Sequence, residues 1–323
     1  MVSTEVFTFS SSDGVHDIHA RWWRPEGQPR AVVQLVHGIS EHMGRYDAFA
    51  RFLAEHGFAV VGHDHLGHGQ TARGPAEYGW FAHQDGWKCV LEDTHALFLQ
   101  ASEAYPELPY VLMGHSMGSF VVRGFLIFWP GVVDCAILSG TGQEPAPMVA
   151  LGKAVSALLI RLQGSQAHSK LLGALSIGAY NRQFKPNRTG ADWISRDTAV
   201  VDAYLADPLC RFLPSVGMFH DMMEGLQLLA KPENLRRMDQ DTPVYFFSGD
   251  KDPVGASGEG VRKVAGWFRQ AGVKDVTVKL YPEGRHEMLN EIGREQVYQD
   301  VLDWLEAKLP RPGTCQGAEA GIK

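Results

Sequence analysis

Residues 110–128, "YVLMGHSMGSFVVRGFLIF", decide the reading of the whole chain. A short apolar run leads into Gly114-His115-Ser116-Met117-Gly118, and a longer apolar run follows at once. The first has strand length and the second helix length, so Ser116 falls on a strand-to-helix turn. The pattern G-x-S-x-G in that setting is a nucleophile elbow. Small residues two before and two after the serine let a tight turn pack and hold its hydroxyl exposed above the sheet. The amide of Met117 then lies at a helix N-terminus, where it can help stabilise an oxyanion.

A serine hydroxyl is a poor nucleophile without a base. Among 14 histidines, His286 in "LYPEGRHEML" directly follows the last expected strand, where a loop emerges at the same sheet edge as Ser116. In this kind of sheet the triad runs serine, acid, histidine. "VYFFSGDKDPVG" lies between them and offers Asp250 and Asp252. The acid would orient the imidazole and stabilise its protonated form. Earlier, "AVVQLVHGISEHMGRY" ends a strand in a loop where the amide of Ile39 is in order to be a second oxyanion donor, with His37 as a brace.

Strand candidates along the chain are "VFTF", "DIHARWWR", "AVVQLVHG", "FAVVGHD", "YVLMG", "DCAILSG", "PVYFFSG" and "VTVKLYP". The first two read as an antiparallel start. The later ones are continuous apolar runs, as expected for strands buried on both faces of a parallel sheet. Helical patterns alternate with them: Tyr46, Phe49, Ala50 and Leu53, ended by Gly57; Trp87, Val90, Leu91, Thr94, Leu97 and Phe98; and Val297, Val301, Trp304 and Leu305. Strands alternating with helices predict a doubly wound α/β domain.

About a hundred residues between "LSGTGQEPAP" and "DQDTPVYFF" contain helical patterns and no convincing strand. They read as an insertion on the C-terminal edge of the sheet, where loops line the ligand crevice. Within it Leu151, Val155, Leu158, Leu159 and Leu162 form an amphipathic stripe, facing either the core or lipid. Trp193, Phe212, Met218, Phe219, Met222 and Met223 are either core packing or an acyl-chain pocket. The expected division is a core over 1–143 and 240–309, a helical cap over 144–239 and a frayed tail over 310–323.

Composition excludes several classes. Hydrophobic residues make up 45 % of 323, ordinary for a globular chain, and the net charge of -7 comes without the clustered Lys and Arg of a nucleic-acid binder. Cys89, Cys135, Cys210 and Cys315 lie far apart, neither a zinc knuckle nor a disulfide framework, with Cys135 read as a buried thiol. No signal peptide is visible, and no apolar run approaches the ~20 residues of a spanning helix, so the expected location is cytoplasmic.

The motifs together resemble the monoacylglycerol lipase and lysophospholipase group of α/β-hydrolases, which includes the serine aminopeptidase S33 set. "HGISEHMGRYDAFARFLAEHGFAVVGHDHLGHGQT" and "YPELPYVLMGHSMGSF" carry the resemblance, over roughly 1–145 and 240–309. It implies the α/β-hydrolase fold, a mostly parallel eight-stranded sheet flanked by helices, with a helical cap inserted after the sixth strand. It places the family's G-x-x-D acid loop on Gly249 and Asp252, and so prefers Asp252 over Asp250. The implied triad is Ser116, Asp252 and His286, with oxyanion amides from Ile39 and Met117. Ser119 stands where the family commonly has glycine, which is expected to crowd the pocket slightly.

The stretch 62–71, "GHDHLGHGQT", offers His63, Asp64, His65 and His68, all ligand types for zinc. One short loop cannot easily place them tetrahedrally, and the resemblance gives the loop a supporting role beside the oxyanion region. Its side chains are expected to bond backbone and neighbours, with no metal or other cofactor. The implied activity is metal-free hydrolysis of a small-molecule acyl ester or lipid, a monoacylglycerol or lysophospholipid-type ester, through an acyl-enzyme, with transient membrane contact through the cap. A general carboxylesterase, a thioesterase or an aminopeptidase on the same triad is the alternative, the last wanting cap carboxylates such as Asp202, Asp221 or Glu224. A ligand-binding protein without catalysis is a more distant one.

Overall fold

The computed structural model describes residues 1–175 and 177–309; the expected frayed tail, with Cys315, lies outside them. Eight strands form one sheet: β1 (Ser3–Ser10), β2 (Asp17–Arg24), β3 (Ala31–Val36), β4 (Phe58–His63), β5 (Tyr110–His115), β6 (Cys135–Ser139), β7 (Val244–Gly249) and β8 (Val276–Tyr281). Their spatial order is β1-β2-β4-β3-β5-β6-β7-β8. β2 runs antiparallel to both β1 and β4, and all later pairings are parallel. Each expected strand is present, including the antiparallel start.

Helices cover both faces, in chain order α1 (Asp47–Glu55), α2 (Gly86–Ala104), α3 (Met117–Phe128), α4 (Ala146–Gln163), α5 (Lys170–Leu175), α6 (Ile177–Tyr180), α7 (Thr198–Ala206), α8 (Val216–Leu229), α9 (Pro232–Leu235), α10 (Glu259–Ala271) and α11 (Arg294–Lys308). Strand periodicity divides the core between the faces. On β3, Val32 and Val36 join one cluster with Leu97, Phe125 and Phe268, whereas Val33 and Leu35 join another with Phe49, Leu53 and Val301. α1 and α11 therefore cover one face, and α2, α3 and α10 the other.

Two expectations need correction. β8 is not buried on both faces: most of its residues are half-buried and Lys279 is exposed. Among the described residues it is an edge strand paired with β7 alone, and its alternating Thr277 and Lys279 suit an edge better than a centre. The second concerns α4. At 18 residues and mean hydropathy 1.2 it is long and apolar enough to cross a membrane, although only 11 % of it is buried. Lys153 and Arg161 interrupt it, so the sequence shows no unbroken apolar run of that length.

α4 to α9 all lie between β6 and β7. α4 packs along α8, where Gly152 meets Phe219 and Met223, and Ser156 Oγ is 3.0 Å from His220 Nδ1. Its leucine stripe does not pack on the core. Leu151, Leu158 and Leu162 are 59, 58 and 71 % exposed.

Candidate active site

The turn after β5 is built as the motif requires. Ser116 has φ 54 and ψ -122, a strained conformation for a non-glycine residue. A Cβ on Gly114 would stand 2.3 Å from the Gly118 carbonyl oxygen, and one on Gly118 would stand 2.1 Å from that of Val36. Only glycine permits either approach. The Ser116 amide donates to the Ser139 carbonyl at 2.9 Å, pinning the turn to the end of β6. Ser119 does not crowd the site: it is fully buried, lines neither cavity beside Ser116, and its hydroxyl donates to the Ser116 carbonyl at 2.6 Å. A hydroxyl is small enough to fold back along the helix, as the sequence alone did not reveal.

His286 and Asp252 meet on the loops after β8 and β7. His286 Nδ1 lies 3.0 Å from both carboxylate oxygens of Asp252. The carboxylate also accepts from Ser248 Oγ at 2.7 Å and from the Val254 amide at 2.9 Å. Burial alone would raise the Asp252 pKa, but His286 and these hydrogen bonds outweigh it and hold the group ionised, below its usual range. Asp250 points elsewhere, accepting from the Glu283 amide at 2.8 Å. The structure brings together Asp252 with His286 and leaves Asp250 out.

Burial depresses the His286 pKa, and the negative Asp252, with Glu287 and Glu41 further off, more than offsets this, so the pKa stands above the ordinary histidine value. A base works only when neutral. The acid limb of kcat/KM is therefore expected above the unperturbed value of about 6.5. A pH profile of ester hydrolysis checks this, and a limb below that value would contradict the pairing. His115, its ring tilted against His286 at 4.6 Å, cannot share the role, because burial has pushed its pKa down to about 3.

The Ser116 hydroxyl makes no hydrogen bond among the described residues, and it shares a cavity with His286; catalytic contacts of this kind commonly tighten with substrate bound. The amides of Ile39 and Met117 donate to no protein acceptor among the described residues, and both residues border Ser116. Gly38 lets the Ile39 loop come this close: a Cβ there would sit 2.9 Å from Ser116 Cβ.

Two cavities open from Ser116, sharing Ile39 and Trp193. One, of about 190 Å³, is lined by His286, Glu41, Glu287, Ser40, Arg211 and Tyr204 among others. The other, of about 250 Å³, is lined largely by Met117, Phe120, Met148, Phe219, Met222 and Leu226. Of the apolar residues singled out in the insertion, Trp193, Phe219, Met222 and Met223 line the second cavity. Phe212 lines the first, and Met218 is buried packing.

A family model described as serine aminopeptidase, S33, matches residues 27–293. The chain belongs to this family. It is 32 % identical to a monoacylglycerol lipase of Mycolicibacterium smegmatis, covering 94 % of this chain and 97 % of that one. It is 27 % identical to human monoglyceride lipase, over 94 % of this chain and 91 % of the relative. Among solved structures it superposes on a carboxyl esterase of Bacillus coagulans with a TM-score of 0.88 and 30 % identity, covering 95 % of this chain and 99 % of that one.

In this S33-family chain the histidine-rich loop braces the loop after β3. His37 Nδ1–H donates to the Gly38 carbonyl at 2.7 Å while its Nε2 accepts from the His65 amide at 3.0 Å. Asp64 accepts from the amides of Met43 and Gln70, and His68 bonds the Leu66 carbonyl. His63 departs from expectation: neither ring nitrogen has a partner among the described residues, and burial lowers its pKa to about 3. A neutral imidazole there serves as an aromatic filler, edge-on to Phe9 and His65.

Among the described residues, the grouping that brings three metal-ligand atoms together is instead His42, Asp207 and Cys210. His42 Nδ1 accepts the Gly44 amide, so Nε2 carries the proton and donates to Asp207 at 2.9 Å. That tautomer makes a hydrogen bond rather than offering a ligand.

Sequence reasoning missed a buried ionic cluster beside the S33 site. Arg45 donates twice to Glu287, at 2.6 Å each, and to Glu41 at 3.0 Å. Glu41 in turn accepts from the Gly38 amide at 2.6 Å and the Tyr46 hydroxyl at 2.8 Å. The cluster joins the oxyanion loop to the residue after His286. Its signal was in the sequence, as Glu41 and Arg45 at i, i+4 and a glutamate adjoining the histidine.

Proposed function

We propose that the chain is a carboxylic ester hydrolase acting on monoacylglycerols and related single-chain acyl esters through an acyl-enzyme. Ser116 attacks the carbonyl as His286 takes its proton, and the amides of Ile39 and Met117 hold the oxyanion. His286 then returns the proton to the leaving alcohol, and water, activated by the same histidine, releases the acid. Asp252 keeps His286 in its working tautomer throughout.

The observation that carries the reading is the division of space at Ser116. The histidine must reach the leaving oxygen, so the alcohol belongs on its side. Of the two cavities, the one with His286 in its wall also has Ser40, Glu41, Tyr204, Arg211 and Glu287 there, polar groups that suit an alcohol. The other has no imidazole in its wall and is lined mostly by methionine, phenylalanine and leucine, with Gln143, Glu144 and Tyr180 among them. An acyl chain there and a polar alcohol opposite match the chemistry of a monoacylglycerol. The similarity to curated monoacylglycerol lipases supports the same substrate class.

The segment 144–239 acts as the cap over both cavities. Its outer face presents Met148, Leu151, Leu158 and Leu162, and Met148 also lines the acyl cavity. We take this face as the point of transient contact with a lipid surface, beside the mouth through which a chain would enter. A cytoplasmic location fits the buried, unpaired thiols of Cys89, Cys135 and Cys210.

An acyl-length series tests the proposal. Each buried methylene contributes about 0.8 kcal/mol, so two added carbons are expected to raise kcat/KM severalfold until the cavity is full. Medium- or long-chain monoacylglycerols should outperform acetyl esters, and triacylglycerols should be poor. Best activity on acetyl esters, or on aminoacyl amides with a free amine, would defeat it. Of the cap carboxylates, Glu144 lines the second cavity, but those expected of an aminopeptidase do not reach the site. Asp202 pairs with Arg188 and Glu224 with Lys153, and neither they nor Asp221 line either cavity.

A further inference from the structure

The base of the site must carry a positive charge at the moment of reaction, in surroundings where burial disfavours one. As Ser116 Oγ bonds to the ester carbonyl carbon, its proton passes to His286 Nε2 and the ring becomes an imidazolium. His286 is 2 % exposed, so water does little for that charge. Among the described residues, Asp252 is the carboxylate that touches the ring, at Nδ1. Glu287 and Glu41 lie further off, and Arg45 pairs with both, which cancels much of what they could offer. His115, against the ring at 4.6 Å, is neutral. A further neighbour is an indole. The Trp193 ring has its centroid 4.9 Å from that of His286, with the two planes inclined by 36°. That is nearer to stacking than to an edge-on contact.

Of the aromatic faces, that of tryptophan attracts a cation most, and the attraction grows where water is kept away. Trp193 is itself only 7 % exposed, so the pair meets that condition. It is also held in place. Its amide donates to Asn181 Oδ1 at 3.0 Å, and the Tyr180 ring lies 5.1 Å from its own. Trp193 lines both cavities, but a wall would need only bulk. What sets this residue apart is its contact with the one group whose charge changes. We propose that Trp193 is a positioning residue acting through His286, its indole face stabilising the imidazolium as the proton leaves Ser116. Asp252 acts along the Nδ1–H bond and the indole through the ring face, so the two add. The inference rests on the ester-hydrolase reading in taking His286 as the base.

The test measures, across pH, how fast a short-chain fluorophosphonate labels Ser116 in wild type, Trp193→Phe and Trp193→Leu. Labelling needs the serine and its base but no long acyl group. In W193L the plateau rate should fall by about threefold to tenfold, the worth of one desolvated cation–π contact. The acid limb should move down by about half a unit to one unit, because the imidazolium has lost support and the neutral base persists to lower pH. W193F, with a weaker face of similar shape, should fall between. At plateau pH, kcat/KM for p-nitrophenyl acetate and p-nitrophenyl decanoate should drop by the same factor, since a defect at the base takes no account of chain length. A limb that stays put or moves up would overturn the inference, water entering the gap having favoured the charged ring instead. So would a loss that grows with acyl length, the mark of a cavity wall. If circular dichroism shows W193L unfolded, the direction of the limb shift in W193F decides alone. A wild type that takes no probe would overturn the ester-hydrolase reading as well, whereas a labelled wild type with unmoved limbs in the variants leaves that reading intact.

Discussion

Ser116→Ala is expected to fold normally and to lose ester hydrolysis down to background. The Ser116 hydroxyl donates to and accepts from no described residue, so its removal strands no partner. Alanine keeps the Cβ, and the strain at φ 54 is common to both residues. Nothing else in either cavity wall is placed to replace the lost nucleophile. Removing the serine of such a triad costs on the order of 10⁶ in kcat. Initial rates on a monoacylglycerol, with reactive serine counted by a fluorophosphonate probe, check the result. Substantial turnover in a clean preparation of S116A would sink the assignment.

The paired aspartates provide the second large effect. Asp252→Asn is expected to reduce turnover by about 10³-fold or more, since the equivalent change in a serine protease costs about 10⁴. All of the groups around the fully buried Asp252 are donors: His286 Nδ1, Ser248 Oγ and the Val254 amide. An amide NH₂ in that ring must face one of them, and the histidine is driven to the wrong tautomer. Asp250→Asn should cost only about tenfold, because an amide oxygen still accepts the Glu283 amide and the group lies outside the triad. Circular dichroism confirms folding in each variant. The reverse order of losses would place the acid at Asp250.

Most of the fold was legible because its signals are local. β2 was read as "DIHARWWR" and is Asp17–Arg24, and β3 to β7 are apolar runs bounded by turn residues. The elbow was equally local, since the glycines that permit its close approaches lie within two residues of Ser116. What escaped was set by long-range contact. The stripe on α4 has helical spacing whichever way it faces, and only its packing on α8 through Gly152 and Ser156 turns the leucines outward. The Arg45–Glu287 pair spans 242 positions, and periodicity has nothing to say about such a separation. Ser119 was misread because volume was considered and the hydroxyl's own hydrogen bond was not.

The insertion is stitched to the catalytic loop at one place. The amides of His286 and Glu287 donate to the carbonyls of Trp193 and Ile194 at 3.4 and 2.8 Å, and Arg285 donates to those of Asp192 and Ser195. The Trp193 ring also lies tilted against that of His286, 4.9 Å between centroids. If the insertion covers the site as proposed, it therefore cannot lift as one lid, because raising residues 192–195 would carry His286, the proposed proton-transfer group, away with them. Admission of substrate is left to the remainder, above all α4, which leans on α8 and is otherwise bare. The two halves of the insertion thus live under different constraints. One half is free to be remodelled for new chain lengths, while the other is bound to the timing of the chemistry itself.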